Sequence, residues 1–157
     1  MDNVIPLIAD VLVVPVVLTA AWVMLRLPRD RRWQAIGRGI VVALTALLFA
    51  KIAAQFYQGV RPFVELGVDP KASFLPNPCF PSDHALLVFT ATFVVWASTK
   101  NTKLTLLLLS LSTLVAVGRV LALVHTPIDI LGGFMCALLA AFVWYGPRLS
   151  DYPTKKL

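Results

Sequence analysis

Acidic residues are scarce in this chain. Eight Asp and Glu stand against fourteen Lys and Arg in 157 residues, and only two histidines and two cysteines occur. The cysteines, Cys79 and Cys136, supply neither a disulfide framework nor a spaced metal-ligand cluster, so packing is the reading for both. Glu65, Asp69 and Asp83 are scattered along one loop, and no group of carboxylates offers magnesium its oxygen ligands. No metal and no cofactor are therefore expected. A basic region ahead of the first apolar run is also lacking. Asp2 and Asp10 come early and a strongly basic stretch follows, a poor signal peptide and a good permanent span.

What the chain has in abundance is apolar sequence: 59% hydrophobic residues and a mean hydropathy of +0.81. These residues come in runs near the ~20 residues that cross ~30 Å of hydrocarbon. Five candidate spans follow, at roughly residues 4–25, 36–57, 83–99, 104–123 and 127–146, the third being the shortest. Backbone groups in lipid find partners only within the chain, so the spans should be helices. The expected fold is an all-α integral membrane bundle forming a single domain over residues 1–157.

The net charge of +6 is distributed along the membrane rather than gathered for nucleic acid. Arg26, Arg29, Arg31, Arg32 and Arg38 crowd the first connection, Lys100 and Lys103 the third, and Arg148, Lys155 and Lys156 follow the last span. By the positive-inside rule these share the cytoplasmic side, which puts the N-terminus outside and the C-terminus inside. Trp22, Trp33, Trp96 and Trp144 all fall at the same span ends, as interfacial anchors do.

Three polar islands then fall together on the opposite, exterior face. One pairs Lys51 with Arg61-Pro62; one reads Pro81-Ser82-Asp83-His84; one reads Gly118-Arg119, five residues, His125, three residues, Asp129. Ionisable groups near lipid are costly, and three sets on one face imply a site. Ser82 has the form of a helix N-cap, and Thr126-Pro127 that of an N-cap and first helical position. Helix starts expose unpaired N–H groups and attract anions. Individually these residues have plainer readings. Thr126 and Asp129 form a capping box, Arg119 snorkels to headgroups, Asp10 reaches the interface or a neighbouring helix, and Gly132-Gly133 packs helices closely.

With these residues in view, the chain resembles the membrane-bound type 2 phosphatidic acid phosphatase superfamily. The resemblance covers residues 51–129: a lysine followed by Arg-Pro, then Pro-Ser-x-His, then Arg, five residues, His, three residues, Asp. Asp83 stands where the family usually has glycine, and this variant is similar to the bacterial undecaprenyl-pyrophosphate phosphatase branch. Gly118 replaces the usual serine, and nine residues separate Lys51 from Arg61 instead of six. A continuous helix over that interval would part the two by ~15 Å, so a break at Gly59 is expected to fold the arginine back.

The resemblance implies roles. His125 is the nucleophile that forms a phosphohistidine, Asp129 orients it, and His84 serves as acid and then base. Lys51, Arg61, Ser82, Asp83 and Arg119 make up the phosphate-binding set, and no metal is needed. The implied substrate is a lipid phosphate in the bilayer of the cytoplasmic membrane, attacked at the exterior face. Undecaprenyl pyrophosphate fits first, as in lipid-carrier recycling for wall synthesis; phosphatidylglycerol phosphate and phosphatidic acid are the alternatives. A small anion or lipid transporter, or a non-catalytic lipid-binding protein, is the alternative of another class. The oligomeric state is not legible.

Overall fold

An apolar run in lipid satisfies its own amides by coiling. In a computed structural model of the protein, which describes residues 4–74 and 76–146, helix dominates and no strand occurs among the described residues. Five long helices follow one another: α1 Val4–Arg26, α2 Arg29–Phe56, α3 Asp83–Thr99, α4 Thr102–Leu121 and α5 Pro127–Tyr145. All but α3 are long and apolar enough to cross a membrane. The basic tail, Arg148, Lys155 and Lys156, lies outside the described residues.

The expected spans and the observed helices agree closely except at α2. Its helix begins at Arg29, not near residue 36, so Arg29, Arg31, Arg32 and Arg38 occupy helical turns instead of a loop. Pro28 sets this start, since proline in extended conformation cannot continue a preceding helix. The connection shrinks to Leu27 and Pro28, and Arg32 Nε donates to the Leu27 carbonyl at 3.2 Å. At its other end α2 stops at Phe56, and Tyr57 is already extended. The break expected at Gly59 therefore falls two residues earlier, where the Tyr57 ring meets Phe80 edge-on at 5.1 Å.

α3, the shortest of the five at 17 residues, is also the central one, packing against each of the other four. Nine of its residues are buried, including Ala85, Val88, Phe89, Thr92 and Val95. A helix that is apolar all round belongs inside. Around it the core is built of small side chains, among them Ala20, Ala46, Ala50, Ala116, Ala137 and Ala140. Leu18, Leu44, Leu48, Leu106, Leu114 and Phe142 point outward. Small residues inside and large apolar ones outside suit a bundle solvated by lipid. A polar bridge crosses the core: the Thr92 and Ser112 hydroxyls lie 2.9 Å apart, and the Val88 carbonyl, 2.9 and 3.2 Å from them, accepts from the one that does not donate to its neighbour.

Helix direction alternates, so the starts of α1, α3 and α5 lie with the ends of α2 and α4. The loop 57–82 covers this end of the bundle. Phe63 N–H donates to the Leu123 carbonyl at 3.0 Å, Lys71 N–H to Ala122 at 3.1 Å, and Ser82 N–H to Asp129 at 3.0 Å. The tryptophans sit toward the other end, where Arg26 lies over Trp22 and Lys100 over Trp96.

α3 and α5 approach closely because Gly133 has no side chain. A Cβ there would stand 2.7 Å from the Ser82 carbonyl oxygen and 3.0 Å from the Leu86 amide. Gly133→Ala is expected to destabilise by about 1–3 kcal/mol through overpacking against backbone. Gly37→Ala, with nothing within 4 Å, should be neutral or stabilising by up to about 1 kcal/mol. Thermal melts in detergent compare the two; equal melting points would refute the close-packing role of Gly133.

Candidate active site

The site is assembled from two helix starts and the chain that leads into each. Ser82 caps α3, its fully buried hydroxyl accepting from the Ala85 amide at 3.5 Å. Thr126 caps α5 with Pro127 at the first helical position, and the capping box is complete. Asp129 N–H donates to Thr126 Oγ1 at 3.3 Å and Thr126 N–H to Asp129 Oδ2 at 2.6 Å. Both caps are as the sequence reads. His84 follows the first cap by two residues, and His125 immediately precedes the second.

His125 is buried, whereas His84 keeps partial exposure at the start of α3. His84 lies within electrostatic reach of Arg119, Asp10, His125 and Asp83. His125 Nδ1 stands 3.7 Å from Asp129 Oδ2, an ion-pair separation longer than a hydrogen bond. The nearer donors to that oxygen are the Thr126 amide and the thiol of Cys79, whose Sγ is 2.9 Å away. Cys79 Sγ is also 3.7 Å from His125 Nδ1. Burial first, and then the bond to Asp129, push the Cys79 thiol up to about 12, so it remains a proton donor.

The packing role read for Cys79 is thus too small. Its sulfur belongs to the carboxylate that faces His125. The absence of a metal-ligand cluster, read from spacing, is corrected as well: ligand atoms of Cys79, His125 and Asp129 all lie within 4.8 Å of one another. Cys79 is 46 residues from His125 and 50 from Asp129, separations that carry no motif. Cys136, by contrast, is buried in the core and packs as expected.

The arginines are buried and held. Arg61 donates through Nη1 to the Val124 carbonyl at 3.0 Å, and through Nη2 to Asn77 Oδ1 at 3.0 Å; its guanidinium also lies 5.0 Å from the Phe74 ring centroid. It therefore fastens the loop 57–82 beside His125. Asn77 in turn donates to Asp83 Oδ2, which leaves the exposed Asp83 carboxylate occupied by the loop. Arg119 is 1% exposed and pairs through Nη1 with Asp10 Oδ1 at 2.6 Å, while its Nε has no partner. Asp10 has thus reached a neighbouring helix. Its other oxygen accepts the Ser73 amide at 2.9 Å.

Two local features bring Asp10 there. The π turn Leu7–Val11 carries it, and Gly118 admits the turn, since a Cβ at 118 would meet the Ala9 amide at 3.0 Å. Lys51 is different: exposed near the end of α2, it makes no hydrogen bond or ion pair among the described residues. Folding thus brings Arg61, Ser82, Asp83, His84, Arg119, His125 and Asp129 to one end of the bundle, and ties Lys51 to none of them. Beside them, between α3, α4 and α5, opens a cavity of about 480 Å³ lined by Phe89, Ala116, Val120, Pro127, Ile130 and Phe134 among others.

Apolar helices sheathing one polar, histidine- and arginine-bearing end make this a multi-pass membrane protein. The pattern of the PAP2 superfamily matches residues 34–149, and the chain belongs to that superfamily. It is 30% identical over 114 residues to "Bacitracin transport permease protein BcrC" of Bacillus licheniformis, covering 71% of this chain and 55% of that protein. It is also 30% identical over 112 residues to "Putative undecaprenyl-diphosphatase YbjG" of Escherichia coli K12, covering 67% of this chain and 55% of that protein. The chain therefore spans about half the length of these relatives. No solved structure matches it.

Asp10→Ala would strip a buried guanidinium of its counter-ion. The expected loss is on the order of 2–3 kcal/mol, below the ~3–5 of a fully buried pair because the Asp10 side chain is 25% exposed. Thermal unfolding in detergent measures it, with Asp10→Asn recovering part of the loss through its remaining hydrogen bond. An unchanged melting point for Asp10→Ala would mean that Arg119 does not depend on this pair.

Proposed function

We propose that this protein is a lipid phosphate phosphatase working at the exterior face of the cytoplasmic membrane through a phosphohistidine. The observation that carries the reading is the joint placement of His84, His125, Arg119 and two helix starts beside an apolar cavity of about 480 Å³. Buried cations and helix N-termini favour an anion, and the cavity favours an acyl or prenyl chain attached to it. Membership of the PAP2 superfamily supports the same chemistry.

In this mechanism the free imidazole nitrogen of His125, Nε2, attacks phosphorus while the bond to the leaving oxygen breaks, and His84 gives that oxygen its proton. His84 then takes a proton from water, whose oxygen attacks the phosphohistidine; the P–N bond breaks and phosphate leaves. Asp129 stabilises the cation that His125 becomes, once the Nδ1–Oδ2 gap of 3.7 Å closes. Arg61, the N–H groups opening α3, and Arg119 through its unpartnered Nε stabilise charge on the transferring group. Lys51 would join them only by moving. Asp83 is restrained by Asn77, which keeps its charge turned to the loop instead of the phosphate. The reaction needs no metal.

Undecaprenyl pyrophosphate is the preferred substrate, supported by the Ser-Asp-His variant at Ser82–His84 and by the name of the Escherichia coli relative. Phosphatidylglycerol phosphate and phosphatidic acid carry the same chemistry. The orientation, N-terminus outside across five spans, rests on the basic and tryptophan residues gathered at the end away from the histidines. A transport reading has the name of the Bacillus relative in its favour, but the charged residues gather toward the two ends of the bundle instead of lining a path between them.

Phosphate release from undecaprenyl pyrophosphate in detergent with EDTA tests the proposal. Wild type should turn over, His125→Ala should fall to background, and His84→Ala should lose about 10²–10⁴-fold. Val117→Trp, filling the cavity wall, should raise KM for the long-chain lipid and leave a short-chain phosphate ester unaffected. No release from any of the three lipids by the folded protein would reject the phosphatase in favour of transport or lipid binding.

A further inference from the structure

Cys79 joins His125 and Asp129 in a cluster to which it brings a thiol that the phosphatase mechanism does not use. The thiol sits 2.9 Å from the Asp129 carboxylate and 3.7 Å from His125 Nδ1, with Nδ1 and Oδ2 themselves 3.7 Å apart. Zinc bound by sulfur at about 2.3 Å and by nitrogen and oxygen at about 2.0–2.2 Å sets its tetrahedral ligand atoms about 3.5 Å apart. The three observed separations bracket that edge. The second Asp129 oxygen, Oδ1, is buried without a partner in a residue that is 0% exposed. The Val124 carbonyl lies 3.8 Å from the sulfur.

We propose that Cys79, His125 and Asp129 constitute an inhibitory site for a thiophilic divalent cation such as zinc. Binding replaces the S–H···O hydrogen bond by a metal–thiolate bond, and the thiol proton leaves to water. Thiolate and carboxylate together balance the two charges of the ion, as burial demands. A neutral imidazole that gives its Nδ1 lone pair to a metal must carry its proton on Nε2. The attacking lone pair is then gone, and Asp129 is withdrawn from orienting the ring. This consequence rests on His125 being the nucleophile; the binding itself does not.

Two readouts separate these parts. Purified protein is titrated with Co²⁺ while the near-ultraviolet thiolate-to-cobalt band is followed, and phosphate release is measured across buffered free Zn²⁺. Wild type and Cys136→Ala should bind one equivalent and show the band; Cys79→Ala should not. Zinc should inhibit wild type with a midpoint equal to the zinc Kd obtained from its competition with cobalt, and a chelator should restore the rate. Loss of a metal-ligand partner outside the coordination sphere already costs about 10–100-fold in affinity, so losing the thiolate itself should weaken zinc inhibition at least about 100-fold. That comparison is made for Cys79→Ala against its own zinc-free rate. Cys79→Ser, which retains a hydrogen-bond donor, covers the case in which Cys79→Ala does not fold. A band that is absent in wild type, or that survives in both Cys79 variants, overturns the site. A Cys79-dependent band with an unchanged rate overturns the inhibition. A Cys79-dependent band in a protein with no phosphatase activity supports the site and rejects the proposed function instead.

Discussion

The first turns of α3 and α5 are fastened backbone to backbone, and the polar end of the molecule is arranged around that junction. The Ser82 amide donates to the Asp129 carbonyl at 3.0 Å, and Gly133 offers no Cβ to hold the two chains apart. Two helix N-termini with their positive dipole ends therefore meet where Ser82, His84, His125 and Asp129 converge. Had the helices met a turn higher or lower, the two histidines would belong to separate surfaces. The central position of α3 follows from the same contact, because the helix that meets α5 so closely also packs on the other three.

Charge in such a place has to be matched group by group. Arg119 has Asp10, Arg61 has the Val124 carbonyl and Asn77, and Asp129 has the Thr126 amide and the Cys79 thiol. Thr126 and Asn77 are near their partners in the chain, but Asp10, Val124 and Cys79 lie 109, 63 and 50 residues from theirs. Polar contacts therefore help hold the loop 57–82 and the start of α1 to the bundle, beside the apolar cluster of Ile5, Ala9, Phe63, Ala72, Ala122 and Val124. Gly118 acquires a meaning here. Where the family usually has serine, this chain has a residue small enough to let the π turn of α1 approach and deliver a carboxylate to the neighbouring arginine. One substitution thereby exchanges a hydroxyl at the site for a counter-ion.

Much of the architecture was legible because membrane spans declare themselves by length and apolarity. The starts of α3 and α5 were readable from Ser82 and from Thr126-Pro127, since capping is a matter of three or four neighbouring residues. The start of α2 was misread because arginines look like a loop in hydropathy, though helical turns carry them readily at an interface. The break before Arg61 was assigned to Gly59 on conformational freedom, whereas the helix already ends at Phe56 and Tyr57 is extended with its ring against Phe80. Cys79 looked like packing because nothing within reach of it in sequence binds a thiol.

By itself the sequence determined the helical, membrane-embedded class, the two caps, and the histidine pair with its aspartate at i,i+4 spacing. All of these depend on contacts within a turn or on the solvent preference of a run, which are local properties. Tertiary structure alone decided that Asp10 neutralises Arg119, that Arg61 ties the loop to Val124, that Lys51 stands apart, and that Cys79 shares Asp129 with His125. These pairings span 46 to 109 residues. They arise because a buried charge takes whichever partner the packed helices bring within 3–4 Å, and no spacing in the chain encodes that meeting.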